Sequence, residues 1–156
     1  MKSSLMCVIV LITAMGCSAT RPLLTETPTA DQASLYVYRP SDTMVLNWPY
    51  VYINGVEVGE LKEGGYIRAL VSSGDVTVEI KNGGNPFKRY IWYWPGPTVK
   101  ISFVANNGNF YYARFSPAVT GISSTPYVTA SYSHVLNIVP NDVGNLDIVR
   151  LDAKYK

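Results

Sequence analysis

Histidine and cysteine are scarce in this chain, which has one histidine, His134, and two cysteines, Cys7 and Cys17, among 156 residues. Cys7 lies in an apolar amino-terminal segment that we expect to be removed. The processed chain then keeps one cysteine, which excludes an internal disulfide and a cysteine-based metal site. A single histidine likewise excludes a histidine-rich zinc site. We therefore expect neither a metal nor a cofactor.

Charged residues are also few, at 15% of the sequence, and the formal net charge is only +2. Removal of the leader takes away Lys2 and lowers that charge by one. A nearly neutral domain lacks the basic surface that binds phosphate backbones, so we predict that nucleic acid is not a partner. The hydrophobic fraction of 47% excludes an intrinsically disordered chain. The length suits one domain with its own core.

The leader comprises residues 1–16, in which Lys2 supplies a positive charge and residues 5–14 form an apolar run. Together with Cys17, this segment resembles a bacterial lipoprotein signal peptide. The resemblance implies that the Cys17 thiol carries acyl chains and becomes the processed N-terminus. Ser18, in place of aspartate, implies sorting to the outer membrane with the domain facing the periplasm. The alternatives are an ordinary secretory leader and a membrane-spanning anchor, but the run is shorter than the roughly 20 residues of a span.

The mature chain divides into a tether and a domain. Residues 17–32 are mostly polar without an apolar period, which predicts a flexible tether between lipid and domain. Residues 33–156 contain short strand-like segments separated by turns. We predict strands at residues 33–39, 51–53, 56–58, 66–71, 76–81, 88–94, 99–104, 109–115 and, in the tail, within 127–139. Residues 117–125 are predicted to form a loop, and the pattern at 146–151 fits a strand or a short helix.

Two Asn-Gly signals predict tight hairpins. Asn54-Gly55 stands between alternating apolar residues, and Asn106-Asn107-Gly108 stands between two further strands. This dipeptide suits the positive φ angles of a type I′ turn. The cleanest alternation, at 76–81, is typical of an antiparallel sheet with one solvated face. The sequence therefore predicts an all-β fold, an antiparallel β-sandwich of seven to eight strands, with a small β-barrel as the alternative.

The order of several short motifs resembles that of a known family. Residues 35–40 read Leu-Tyr-Val-Tyr-Arg-Pro, residues 51–55 read Val-Tyr-Ile-Asn-Gly, and Val-Gly-Glu-Leu, Gly-Tyr and Ser-Gly follow in turn. This order is similar to that of domain-of-unknown-function family 2846, a group of bacterial lipoproteins. The resemblance supports the fold and the lipoprotein character, and it transfers no catalytic residue.

Few residues are candidates for catalysis. His134 has serines nearby in the sequence, so it is a candidate general base, but no Gly-x-Ser-x-Gly elbow is present and no carboxylate can be placed beside it. Glu57, Glu60 and Glu63 are candidate paired acids for glycoside hydrolysis, although positions beside turns are typical of solvated charges. We favour a surface or packing role for His134 and for these three carboxylates.

An aromatic segment is the other candidate site. Tyr90, Trp92 and Trp94 alternate along one predicted strand and would share one face. Exposed, these rings would bind sugar rings or a protein partner; covered by the second sheet, they would belong to the core. The sequence favours the core.

These observations predict a lipid-anchored lipoprotein of the cell envelope that acts as a binding or structural module and is not an enzyme. Its partners would be the membrane, through the Cys17 lipid, and a protein or glycan of the envelope, bound at a sheet edge or at the aromatic strand. The alternative function is an envelope hydrolase or glycan-processing enzyme centred on His134 or on a carboxylate pair.

Overall fold

The computed structural model describes residue 28 and residues 30–41, 48–82, 97–124 and 129–154. These residues form eight strands and one helix. The elements are β1 (Ala33–Tyr38), β2 (Tyr50–Ile53), β3 (Val56–Glu60), β4 (Tyr66–Val71), β5 (Gly74–Lys81), β6 (Val99–Ala105), β7 (Phe110–Ser123), β8 (Thr129–Val139) and α1 (Asn141–Lys154). No helix among the described residues is long and apolar enough to cross a membrane.

The strands form two four-stranded sheets. Sheet A has the order β4-β1-β7-β8, and sheet B has the order β3-β2-β5-β6. All neighbouring strands are antiparallel except β1 and β7, which run parallel at the centre of sheet A. The two separate sheets confirm the predicted β-sandwich. They do not form the alternative, a closed barrel.

The Asn54-Gly55 turn is formed as predicted. Asn54 and Gly55 have φ angles of 49° and 82°, as a type I′ hairpin between β2 and β3 requires. The Asn54 side chain also accepts a hydrogen bond of 2.8 Å from the backbone N–H of Thr77 on β5. One asparagine thus closes the hairpin and joins it to the next strand of sheet B.

The main core lies between the sheets. On β5, Val76, Val78 and Ile80 are buried while the residues between them are partly exposed, which confirms the predicted alternation. Leu35 and Val37 of β1 meet these side chains from sheet A. The other residues of this core are Ala33, Val51, Ile53, Leu61, Val71, Ala105, Ala113 and Phe115.

The helix adds a third layer that the sequence analysis did not predict. Every residue of β1 is buried, because its two faces are covered by different neighbours. Tyr36 and Tyr38 point away from the main core and join Tyr112, Val139, Ile148 and Leu151 in a second cluster. Because Ile148 and Leu151 belong to α1, the helix covers the outer face of sheet A.

Two sequence predictions were wrong, and the structure decides between the two alternatives of a third. The turn at Asn106–Gly108 does not close a hairpin, because β6 belongs to sheet B and β7 pairs with β1 and β8 in sheet A. Residues 117–123, predicted as a loop, continue β7, where β8 pairs with them through Ser123. The tail segment 146–151 is helical. The strand predicted at 88–94 lies outside the described residues.

Candidate functional site

Four of the residues singled out by the sequence lie outside the described residues: Cys17, Tyr90, Trp92 and Trp94. The structure therefore bears on the remaining candidates, His134 and the three glutamates. It also brings together residues that the sequence analysis did not connect.

His134 lies on β8, and its ring stacks on that of Phe115, with centroids 6.1 Å apart and planes 11° from parallel. Both ring nitrogens are shielded from solvent. Burial, together with the positive charge of Arg39, lowers the pKa of the imidazole. Ser133 precedes it on the strand and so points to the opposite face. This geometry uses His134 as a neutral packing ring and does not pair it with the neighbouring serine.

The three glutamates have different partners. The hydroxyl of Tyr50 donates to Glu60, and that of Tyr52 donates to Glu57, each across the β2–β3 pair. Glu63 lies in the turn before β4, and its negative charge favours the protonated form of the buried Arg39. Each carboxylate is therefore engaged by a different neighbour, and the three do not form one site.

Arg39 is the one charged side chain among the described residues that is completely buried. It follows β1, where its backbone N–H donates to the carbonyl of Gly65. Burial lowers the pKa of its guanidinium, while Glu63 opposes that shift. A buried charge is tolerated only when polar groups compensate it. The arginine of the Arg-Pro motif thus has a structural role, which its place in the motif did not reveal.

The described residues also line an open cavity of about 290 Å³ where α1 meets sheet A. Its polar groups come from Tyr38, Ser41, Arg114, Asp147 and Arg150. The Tyr38 hydroxyl donates to Asp147 Oδ2 at 2.7 Å, and Arg114 Nη1 lies 3.5 Å from the same oxygen. The β1–β7 register places Tyr38 beside Arg114, and α1 contributes the other two residues.

The cavity also fixes a protonation state. Burial, with a further contribution from the Asp147 hydrogen bond, raises the pKa of Tyr38 well above its ordinary value. Tyr38 therefore keeps its proton and holds the Asp147 carboxylate in place. This arrangement could not be predicted from the sequence, because Tyr38 and Asp147 are 109 positions apart.

The edges of the two sheets differ in charge. Among the described strands, β3, β4 and β6 are edge strands that each carry at least one charged residue: Glu57 and Glu60, Arg68, and Lys100. The fourth edge strand, β8, has 11 residues and contains no Asp, Glu, Lys, Arg or Pro. Charges and prolines are the usual means by which proteins prevent edge strands from pairing with other chains. β8 lacks that protection.

The far end of β8 extends beyond the rest of its sheet. β1 pairs with β7 only over Phe110–Arg114, whereas β7 and β8 remain paired to Ser123 and Thr129. We call this extension, residues 118–123 with 129–133, the β7–β8 arm. Residues 118–123 are all exposed, including Ile122 at 74%. A two-stranded ribbon is only marginally stable in water by itself.

No group of three or more His, Cys, Asp or Glu side chains in the described part of the chain is arranged to hold a metal ion. Among family models, the one described as "Protein of unknown function (DUF2846)" matches residues 29–126. This span includes strands β1 to β7 and ends before β8 and α1. A search of the curated proteins found no match.

Proposed function

The chain belongs to the DUF2846 family, and from that premise we propose that it is a lipid-anchored binding module of the bacterial cell envelope and not an enzyme. The anchor would be Cys17, and the outer membrane, on its periplasmic side, the expected location. The binding surface would be the edge of β8 together with the β7–β8 arm. The partner would be an extended segment of another envelope protein.

The proposed anchor is supported by the position of Cys17 directly after an apolar leader. Replacement of Cys17 by alanine should release the protein from membranes and abolish labelling by a radioactive or clickable fatty acid. The matched control is Cys7→Ala, which removes a thiol inside the leader and should leave labelling intact. Membrane retention and labelling of the Cys17→Ala protein would refute the anchor.

The observation that carries the binding proposal is the contrast between β8 and the other described edge strands. β8 is the longest of the four edges and the one without charge. A partner that adds a strand to such an edge gains main-chain hydrogen bonds, while its side chains provide specificity. The side chains that flank this edge include the exposed Val135 and Asn137.

The test places a photo-crosslinking amino acid at Asn137 and illuminates intact cells. We expect a discrete crosslinked species that disappears when Val135 is changed to lysine, because an edge lysine opposes strand addition. Val135→Thr removes apolar surface without charge and should keep the species. Val104→Lys places the same charge on the exposed face of β6 and should also keep it.

Crosslinking that persists in the Val135→Lys protein, or that is lost equally in the Val104→Lys protein, would contradict edge binding without affecting the anchor. The non-enzymatic role is supported by the position of His134, stacked on Phe115 with its nitrogens shielded. Replacement of His134 by phenylalanine should therefore leave the crosslinked species unchanged. Turnover of an envelope glycan that requires His134 would overturn this part of the proposal.

A further inference from the structure

The cavity between α1 and sheet A has the size of a small-ligand site. Its volume of about 290 Å³ lies just below the roughly 300–1,000 Å³ range that ligand pockets occupy. It opens between the end of β1, the middle of β7 and the second half of α1. A ligand of this cavity must therefore be compact.

The charges around the cavity do not balance. Arg114 and Arg150 contribute two positive charges, and Asp147 contributes one negative charge. Asp147 is committed to the Tyr38 hydroxyl at 2.7 Å and to Arg114 at 3.5 Å. No ion pair joins Arg150 to another described residue, and its side chain is exposed to solvent. Among the described lining residues, one positive charge thus remains over the opening.

The remaining walls indicate what else a ligand carries. Pro40, Ser41 and Leu151 complete the lining beside the ring of Tyr38. The surfaces of Pro40 and Leu151 favour an apolar body next to the charged group. A guanidinium presents two parallel N–H donors that match the oxygens of a carboxylate or a phosphodiester. A single excess charge matches a singly charged group better than a doubly charged one.

We propose that this cavity binds a singly charged oxyanion borne by a small organic molecule, with Arg150 as the principal contact and Arg114 as the second. The ligand would be either a free organic acid or the phosphodiester of a lipid headgroup, since both present the same charge and the same pair of oxygens. Asp147 is a positioning residue, because it holds Arg114 and limits the charge of the site. This inference does not depend on strand addition at β8.

The probe is para-fluorobenzoate, whose binding to the detergent-solubilised full-length protein is followed by fluorine NMR. We expect the carboxylate to bind and its neutral analogue, para-fluorobenzamide, not to bind. Arg150→Gln should weaken binding about tenfold, as expected for the loss of one charge-assisted hydrogen-bonded pair. Arg150→Lys should restore part of the affinity. Lys100→Gln removes a cation from β6, away from the cavity, and should bind as the unmodified protein does.

Competition experiments identify the source of the oxyanion. Stronger displacement by dimethyl phosphate than by acetate would indicate a phosphodiester, and the reverse order would indicate an organic acid. Asp147→Asn removes the only negative charge among the described residues that line the cavity, and we expect inorganic phosphate to become a competitor in that variant. Equal binding of the acid and the amide, unchanged affinity in Arg150→Gln, or no binding at tens of millimolar probe would overturn the proposal.

Discussion

Tyr38 combines two roles at the level of a single residue. Its ring is fully buried in the cluster under α1, and its hydroxyl joins β1 to Asp147 of the helix at 2.7 Å. Tyr38→Phe keeps the ring and removes only that bond. Because the acceptor is a partly buried carboxylate, we expect the free energy of unfolding to fall by about 1–2 kcal/mol. Urea denaturation of the two proteins measures the difference.

The matched control for Tyr38 is Tyr52, whose hydroxyl donates to the exposed Glu57. Tyr52→Phe loses a hydrogen bond of the same kind at the surface, where water replaces it. Its unfolding free energy should change by no more than about 0.5 kcal/mol. Equal effects of the two substitutions would show that the Tyr38–Asp147 bond stabilises the fold no more than an exposed hydrogen bond does.

His134 should make stability depend on pH. Burial and Arg39 lower its pKa in the folded protein, so the unfolded state binds this proton more readily. The stability that His134 contributes is then fully present above the ordinary histidine pKa, near pH 6.5, and is lost as pH falls towards the lower folded value. The chain has no other histidine, which simplifies the assignment. Urea midpoints measured between about pH 7 and pH 5 should fall with pH.

His134→Phe provides the control for that pH dependence. Phenylalanine keeps a ring beside Phe115 and removes the titrating group. We expect the variant to be nearly insensitive to pH over the same interval. If both proteins lost stability with the same slope, the dependence would come from carboxylates and the shielded position of His134 would have no such consequence.

At the level of elements, the docking of α1 depends on a glycine. A Cβ at Gly144 would lie 2.2 Å from Cγ and 2.4 Å from Cβ of Tyr112, closer than packed atoms can approach. In most helices Gly→Ala is stabilising, because alanine has the higher helix propensity. Here Gly144→Ala must push the helix away from sheet A, so we expect a loss of about 1–3 kcal/mol. Chemical denaturation and the near-ultraviolet signal of the tyrosines measure both effects.

Asn145, the next residue of α1, is exposed and serves as the control for Gly144. Asn145→Ala raises helix propensity without meeting the sheet, so its stability should stay within about 0.5 kcal/mol or rise slightly. A stabilised Gly144→Ala protein would mean that the helix does not pack on Tyr112 as closely as described.

Elements whose signal is local could be predicted from the sequence. The alternation of β5 and the Asn54-Gly55 turn depend on neighbouring residues alone, and both were found as predicted. The Asn106–Gly108 turn shows the limit, because a tight turn does not state whether the next strand stays in the same sheet. Its chain leaves sheet B and enters sheet A, where β7 pairs with β1 from the opposite end of the sequence.

The sequence pattern did not distinguish a helix from a strand at residues 146–151, and the reason is a different one. Ile148 and Leu151 face the sheet, but Val143, Leu146 and Val149 are exposed on the other side, so the apolar residues form no single stripe. Without a stripe, the period cannot separate helix from strand. Pro140 before the helix and Asp142 in its first turn are the start signals that would have favoured the helix. The cavity depends on this docking, and therefore it could not be predicted either.

At the level of the whole molecule, the described residues form three layers, with sheet A between sheet B and α1. The inter-sheet core covers one of its faces and α1 covers the other, so β1 is buried throughout. The family match ends at residue 126. β8 and α1 follow it, and they contribute to the packing on the two faces of sheet A. Leu136 and Ile138 of β8 pack against the main core, and Ile148 and Leu151 of α1 lie in the second cluster. The part of the chain beyond the matched span is thus integral to the fold.

This architecture predicts that a chain ending at residue 126 will not fold cooperatively. Loss of β8 and α1 would uncover Tyr36, Tyr38 and Tyr112 and leave β7 without its longest pairing. Each large apolar side chain removed from water contributes about 1.5–3 kcal/mol, and a domain has only about 5–15 kcal/mol in total. The truncated chain should lose its urea transition and near-ultraviolet signal, whereas a chain ending at residue 154 should keep both. A cooperative transition at the full-length midpoint in the shorter chain would mean that β8 and α1 are accessories to a self-sufficient domain.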